Sequence, residues 1–145
     1  KRVCGIVRTI RRLCLRNTCL LRFGKRRDEC VYGSTFYFRI VQGTDNFYMK
    51  PAAAVVSARR AGTTATFDQM NKYFTMTQMP VVSSQYWNMV HGNTPDEVRL
   101  DIEGMQVMRT LARNMAFLLK CKKAGMEAGV QLPEREDIIE TNFIR

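Results

Sequence analysis

The sequence predicts an α/β domain built on a parallel β-sheet, and three consecutive segments indicate it. Residues 52–56 form an unbroken apolar run, which is typical of a strand covered on both faces. Residues 63–76 have apolar side chains at helical spacing, and residues 81–84 follow a proline as a second short strand. A strand, a helix and a strand in this order predict a βαβ crossover. The apolar helix positions are Phe67, Met70 and Phe74.

A long helix is predicted after the second strand. Thr94 and Glu97 form a capping box with Pro95 at the first helical position, and Gly125 or Gly129 marks the expected end. Apolar residues recur at steps of three and four, which predicts one buried stripe that packs on the sheet. The stripe consists of Val98, Ile102, Met105, Met108, Ala112, Met115 and Leu119.

The net charge of +10 is concentrated at one end of the chain. Residues 1–27 contain ten Lys and Arg and no acidic residue, whereas residues 28–145 contain 13 basic and 13 acidic residues. We therefore divide the chain into a basic segment (1–27), a domain (28–132) and an acidic tail (133–145). Basic arms bind phosphate backbones by releasing counterions. Nucleic-acid binding through residues 1–27, by a protein without catalytic activity, is therefore the alternative function.

Residues 1–27 do not resemble the remainder of the domain. Apolar residues lie among the arginines without a regular period, and arginine and cysteine are in excess while acidic residues are missing. This composition is typical of out-of-frame translation. The segment could equally belong to a fragment, to a divergent relative or to a native basic arm.

The five cysteines and the single histidine predict neither a metal site nor a disulfide framework. No two cysteines form a C-x-x-C pair, and an odd number without secretory context favours reduced thiols. Cys121 is expected to be a small apolar core residue, and His91 is expected to be structural rather than a general acid or base. No stretch approaches the roughly 20 apolar residues that cross a bilayer. The sequence thus predicts a cytoplasmic protein without membrane association.

Three loops are candidates for a binding site. Ligands of open α/β sheets bind beyond the carboxyl ends of the strands, and the expected strands lead into residues 33–37, 57–63 and 83–87. Small residues there allow a ligand to approach the backbone, and Arg59 or Arg60 would place positive charge at the edge of an electron-poor ring. The alternative is that the loops are ordinary turns whose aromatic side chains cover the sheet.

Two blocks of sequence carry a resemblance to a known family. Residues 50–63, which include Ser-Ala-Arg-Arg, and residues 79–92, which include Gln-Tyr-Trp-Asn, resemble the second half of the flavodoxin-like NADPH-dependent FMN reductases. This group includes iron–sulfur flavoproteins and flavodoxin family oxidoreductases, and the resemblance covers about two thirds of the chain. It implies a flavodoxin-like doubly wound parallel sheet, bound FMN, electron transfer from NAD(P)H to an acceptor, and a homodimer or homotetramer.

The resemblance also implies flavin contacts in two of the loops. By matching the family's motifs, the cofactor-binding residues are Gly33, Ser34, Thr35, Phe36, Tyr37, Ser57, Ala58, Arg59, Arg60, Gly62 and Thr63. Thr35 stands where the family usually has proline. The family opens with a Ser/Thr-rich loop that holds the FMN phosphate at a helix N-terminus, and residues 1–27 supply no such loop. The domain is therefore expected to be incomplete at its N-terminus and to bind FMN poorly.

Overall fold

The chain is a mixed α/β protein in a computed structural model that describes residues 14–15, 18–22, 47–137, 139 and 141–143. The elements in chain order are β1 (Cys14–Leu15), β2 (Thr18–Arg22), β3 (Ala52–Ala58), α1 (Thr63–Met76), β4 (Met89–His91), α2 (Pro95–Leu100) and α3 (Ile102–Glu127).

Strand β3 is the centre of the described sheet, whose order is β1-β2-β3-β4. It pairs in parallel with β2 on one side and with β4 on the other, while β1 and β2 are antiparallel. The strand predicted over residues 52–56 is confirmed and extends to Ala58. Parallel pairing of β3 with the strand that follows α1 confirms the predicted crossover.

Helices cover both faces of β3, because alternate residues of a strand point to opposite faces. On one face, Ala52 and Ala54 pack with Met70 and Phe74 of α1. On the other face, Ala53 packs in a cluster that includes residues of α3. The continuous apolar run therefore indicated burial on both faces correctly. The α3-side cluster consists of Ala53, Val82, Leu111 and Met115.

Helix α1 has the predicted bounds, and backbone features explain both ends. Gly62 precedes it with φ 90°, a left-handed conformation that glycine adopts without a side-chain clash. At the other end, the Thr77 hydroxyl donates to the carbonyl oxygens of Tyr73 and Phe74 at 2.9 and 3.1 Å. Pro80 then prevents the helix from continuing.

The second strand was predicted in the wrong place. Val81 forms only an isolated parallel bridge with Ala52, and the strand itself is Met89–His91. Between these pairings β3 advances four residues while its partner advances eight. The Val82 N–H and the Asn88 carbonyl still form hydrogen bonds with β3, so residues 83–87 leave the ladder as an excursion. Helix α3 holds the excursion: Asn114 Nδ2 donates to the Ser83 carbonyl at 2.8 Å. A tertiary contact therefore set the register.

The long helix predicted after Thr94 is divided into α2 and α3 at Asp101. The Thr94 cap is confirmed, since its hydroxyl accepts the Glu97 backbone N–H at 3.3 Å. Glu97 Oε2 reaches one residue further back than predicted and accepts from the Asn93 N–H at 2.6 Å. Asp101 then caps α3 through its side chain.

Helix α3 packs on the sheet through a face rotated from the predicted stripe. Its buried residues are Gly104, Val107, Leu111 and Met115. Of the predicted stripe, only Met115 is buried; Val98, Met105, Met108 and Leu119 are half-buried, and Ile102 and Ala112 are exposed. The rotation has a steric cause: a Cβ on Gly104 would lie 3.0 Å from Val90 Cγ1, so this glycine lets α3 lie closely on β4. Counting apolar residues cannot detect such a contact.

Helix α3 ends at one of the two glycines that were predicted to stop it. Gly129, at φ 89°, follows the last turn, and the N–H of Val130 donates to the Gly125 carbonyl at 2.9 Å. This is a Schellman ending, so Gly129 rather than Gly125 stops the helix. Cys121, further back on the same helix, is exposed. The expectation of a core cysteine was wrong because this position lies off the buried face.

The described part of residues 1–27 contributes strands to the sheet. Strand β2 supplies the second neighbour of β3, with Cys19 opposite Ala52 and Arg22 opposite Val55. The composition of this segment indicated no such pairing. The loop predicted over residues 33–37 and the strand expected to lead into it lie outside the described residues.

Candidate functional site

The predicted loop over residues 57–63 begins with the last two residues of β3 and continues past the carboxyl end of the strand to the start of α1. The strand is buried as far as Val56, and the chain reaches the surface at Ser57. Arg59, Arg60 and Gly62 are exposed, whereas Thr63 is only 5% exposed where α1 begins. Of the predicted site residues in this loop, Ser57 is exposed and Ala58 is half-buried. The loop therefore offers its small residues and both arginines to solvent.

The N-terminus of α1 lies at this loop and has no side-chain cap. Gly62 provides no acceptor for the first N–H groups, and the first turn contains no acidic residue. The first N–H groups of a helix lack intrahelical partners and carry partial positive charge. By contrast, α2 and α3 are capped by Thr94 and Asp101. Helix α1 thus presents unneutralised donors at the carboxyl edge of the sheet.

Arg59 and Arg60 add full positive charge next to these donors. Both side chains are exposed, and neither belongs to any of the ion pairs found within the described part of the chain. Backbone N–H groups at a helix start combined with guanidinium groups favour an anionic or electron-rich ligand. These donors can bind and orient such a ligand, but they include no acid–base pair.

A second loop reaches the same edge of the sheet. Ala58 lies opposite His91 in the register, and the Gly92 N–H donates to the Ala58 carbonyl at 3.1 Å. The chain then turns sharply into α2: a Cβ on Gly92 would lie 2.6 Å from the Val98 backbone nitrogen. Two successive parallel strands therefore deliver residues 57–63 and 91–94 to one edge, as the sheet geometry requires.

Asp101 fixes the second loop and was not identified from the sequence. Its Oδ2 accepts the His91 backbone N–H at 2.7 Å, and its Oδ1 accepts the Gly104 N–H at 2.9 Å. The hydrogen bond from Gly104, followed by that from His91, holds the pKa of Asp101 below its ordinary value. Asp is a preferred N-cap residue, but here it lay within the predicted helix. The contact ties the end of β4 to the start of α3.

The His91 side chain lies beside this carboxylate at the surface. Its Nδ1 is 3.8 Å from Asp101 Oδ2, and the imidazole is 44% exposed. The distance exceeds that of a good hydrogen bond, so Asp101 does not orient the ring as a proton acceptor. The expectation that His91 is structural rather than catalytic stays a prediction.

Residues 83–87 do not follow the end of a strand, contrary to the prediction. They belong to the excursion from the ladder, where Tyr86 and Trp87 are 54% and 49% exposed and their ring centroids lie 4.9 Å apart. With His91 and Asp101 they border a small cavity of about 70 Å³. That volume holds a few water molecules and is far below the roughly 300 Å³ of ligand pockets. The two aromatic side chains therefore form a surface platform and not an enclosed site.

Comparisons of the chain with protein-family models, curated proteins and solved structures found no match. The residues described here contain no cluster of His, Cys, Asp or Glu that could hold a metal ion. Among the described helices, none combines the length and the apolar character needed to cross a membrane.

Proposed function

We propose that the sheet centred on β3, together with its helices, belongs to a flavodoxin-like domain that binds FMN and transfers electrons from NAD(P)H to an acceptor. The observation that carries the proposal is the loop over residues 57–63, where two exposed arginines precede an uncapped helix N-terminus at the carboxyl edge of a parallel sheet. The resemblance of residues 50–63 and 79–92 to FMN reductases supports the same assignment. We further propose a cytoplasmic homodimer or homotetramer, which the resemblance implies.

The donors of this loop suit the polar edge of a flavin ring. Reduced flavin carries negative charge, which the guanidinium groups of Arg59 and Arg60 and the N–H groups at the start of α1 would stabilise. Gly62 leaves this approach open, since a Cβ there would meet no described atom within 4 Å. No acidic residue lies in the first turn of α1 to repel the ligand.

The bound cofactor would supply the redox chemistry, accepting hydride from NAD(P)H and passing electrons on. The residues of this chain would bind and orient the ring. Arg59 and Arg60 would favour its anionic form, and Ser57, Ala58 and Thr63 would position backbone groups beside it. Asp101 would keep the neighbouring loop over residues 91–94 in place without contacting the ligand.

Flavin titration of the purified full chain tests the proposal. Because residues 1–27 contain no Ser/Thr-rich phosphate loop, riboflavin and FMN should perturb the flavin absorbance with affinities that agree within about threefold, a difference of under 1 kcal/mol. The double variant Arg59→Ala, Arg60→Ala should weaken binding of both by about tenfold, since hydrogen bonds to charged groups contribute about 1.5 kcal/mol or more.

The control variant is Arg109→Ala, Arg113→Ala, which removes two exposed arginines from α3 and should leave flavin affinity unchanged. If both double variants weakened flavin binding equally, the loss of net positive charge alone would explain the effect, and this result would contradict the proposed site. If the chain instead bound no flavin but bound DNA with an affinity that fell steeply with salt, the nucleic-acid function would replace this proposal.

A further inference from the structure

A second concave surface lies at the opposite, amino edge of the sheet. It is a cleft of about 420 Å³ between the segment before β3, the last turns of α3 and the chain after it. Its volume falls within the range of small-molecule sites. The described lining residues are Tyr48, Lys50, Lys122, Met126, Leu132, Pro133 and Arg135.

The cleft is held together by hydrogen bonds from two of its own residues. The Tyr48 hydroxyl donates to the Pro133 carbonyl at 2.9 Å, which fastens the chain after α3 to the segment before β3. Lys122 Nζ donates to the Met49 carbonyl at 2.8 Å. The ammonium group of Lys122 and the chain at Pro133 are therefore both held in place by hydrogen bonds to the segment before β3.

Positive charge in the cleft is not balanced by its described lining. Lys50 and Lys122 line it, and none of the described lining residues carries a carboxylate. Neither lysine belongs to an ion pair found within the described residues. Partial burial, and then the charge of Lys50, hold the pKa of Lys122 below its ordinary value. An anion between the two ammonium groups would offset both effects, because an opposite charge favours the charged form of a lysine.

The remaining lining is apolar. Met126 and Leu132 are 56% and 44% exposed. Their side chains therefore offer an apolar surface beside the charged groups, which the hydrocarbon part of a ligand could contact. An ammonium group is a point charge that binds phosphate, sulfonate and carboxylate alike. The lining thus combines an anion-binding side with an apolar side.

We propose that this cleft binds a small organic anion, with its phosphate, sulfonate or carboxylate group at Lys50 and Lys122 and its apolar body against Met126 and Leu132. The site is separate from the loop over residues 57–63. Strand β3 runs from one to the other, and its seven residues span roughly 23 Å at about 3.3 Å per residue. The inference does not depend on flavin binding.

Fluorescence titration of the full chain with anilinonaphthalene sulfonate, a sulfonate on an apolar body, tests the site. We expect saturable enhancement that inorganic pyrophosphate competes away. The double variant Lys50→Gln, Lys122→Gln should weaken binding by about tenfold or more, because it removes both charge-assisted hydrogen bonds. Lys120→Gln is the matched control, since this exposed lysine lies on the same helix outside the cleft.

A second variant protects the test against a folding defect. Leu132 is exposed, so Leu132→Asp should leave the circular dichroism spectrum unchanged while placing a carboxylate in the cleft and abolishing binding of the dye. The Arg59→Ala, Arg60→Ala variant should bind the dye normally, which separates this site from the proposed flavin site. Absence of saturable binding, or equal affinity in the lysine double variant and the Lys120→Gln control, would overturn the inference.

Discussion

Replacing Asp101 by asparagine should destabilise the fold by about 2–4 kcal/mol. The carboxylate accepts two backbone hydrogen bonds, from His91 at 2.7 Å and from Gly104 at 2.9 Å. Asparagine can keep the acceptor for Gly104, but its amide nitrogen would then face the His91 N–H. The variant loses one hydrogen bond to a charged group, about 1.5–3 kcal/mol, and leaves a backbone donor without a partner. Loss of the charge at the start of α3 adds about 0.3–1 kcal/mol.

Urea unfolding followed by circular dichroism measures this effect. With a slope of about 2 kcal/mol per molar urea, the midpoint should fall by roughly 1–2 M. The control is Asp96→Asn, which removes an exposed carboxylate paired with Arg99 in the first turns of α2. Exposed pairs contribute at most about 1 kcal/mol, so the control midpoint should move much less.

The stabilisation by the Asp101 carboxylate should depend on pH in a definite direction. Because the pKa of Asp101 is lowered in the folded chain, its stabilisation is present above the ordinary value of 3.8 and is lost as pH falls through the folded pKa. The stability difference between wild type and Asp101→Asn should therefore shrink on acidification below pH 3.8. An unchanged midpoint in the variant, or a difference that persists undiminished at low pH, would refute this account of Asp101.

Two further substitutions test the packing. Gly104→Ala places a Cβ 2.9 Å from the Asp101 Cγ atom and 3.0 Å from Val90 Cγ1. It should therefore lower the free energy of unfolding by about 1–3 kcal/mol, although alanine favours helices by about 1 kcal/mol. A variant that is more stable in thermal unfolding would contradict the close contact. Phe74→Ala should cost about 3–5 kcal/mol, because Phe74 is completely buried between α1 and β3. Met76→Ala, at a half-exposed position of the same helix, should cost much less, and similar losses for both would show that α1 does not pack as described.

Local signals predicted the elements that local chemistry determines. Helix α1 was predicted with its observed bounds because Gly62 and Pro80 act on the backbone itself, and the Thr94 cap was predicted because its partners lie within one turn. The second strand was misplaced because residues 81–84 and 89–91 are both short segments that could pair with β3. Which of them pairs depends on how the excursion is held by Asn114, which is far from it in the sequence.

The candidate site was predictable to a similar extent. The end of the buried run predicted that a loop containing Arg59 and Arg60 follows the strand, and this is observed. The contact between Asp101 and His91 was not predictable, because it joins a strand end to a helix start ten residues later. Without it, the predicted long helix had no reason to break, and the buried face of α3 was placed in the wrong register.

The excursion between Val81 and Met89 also determines how the outer side of β4 can behave. In the described sheet β4 is the last strand, and edge strands expose unpaired backbone groups that invite another chain to pair. Here the continuous ladder is only three residues long, Met89–His91. A foreign strand could form too few hydrogen bonds there to offset the entropy of ordering its backbone. The same excursion that displaced the strand from its predicted position therefore limits strand addition at this edge of the described sheet.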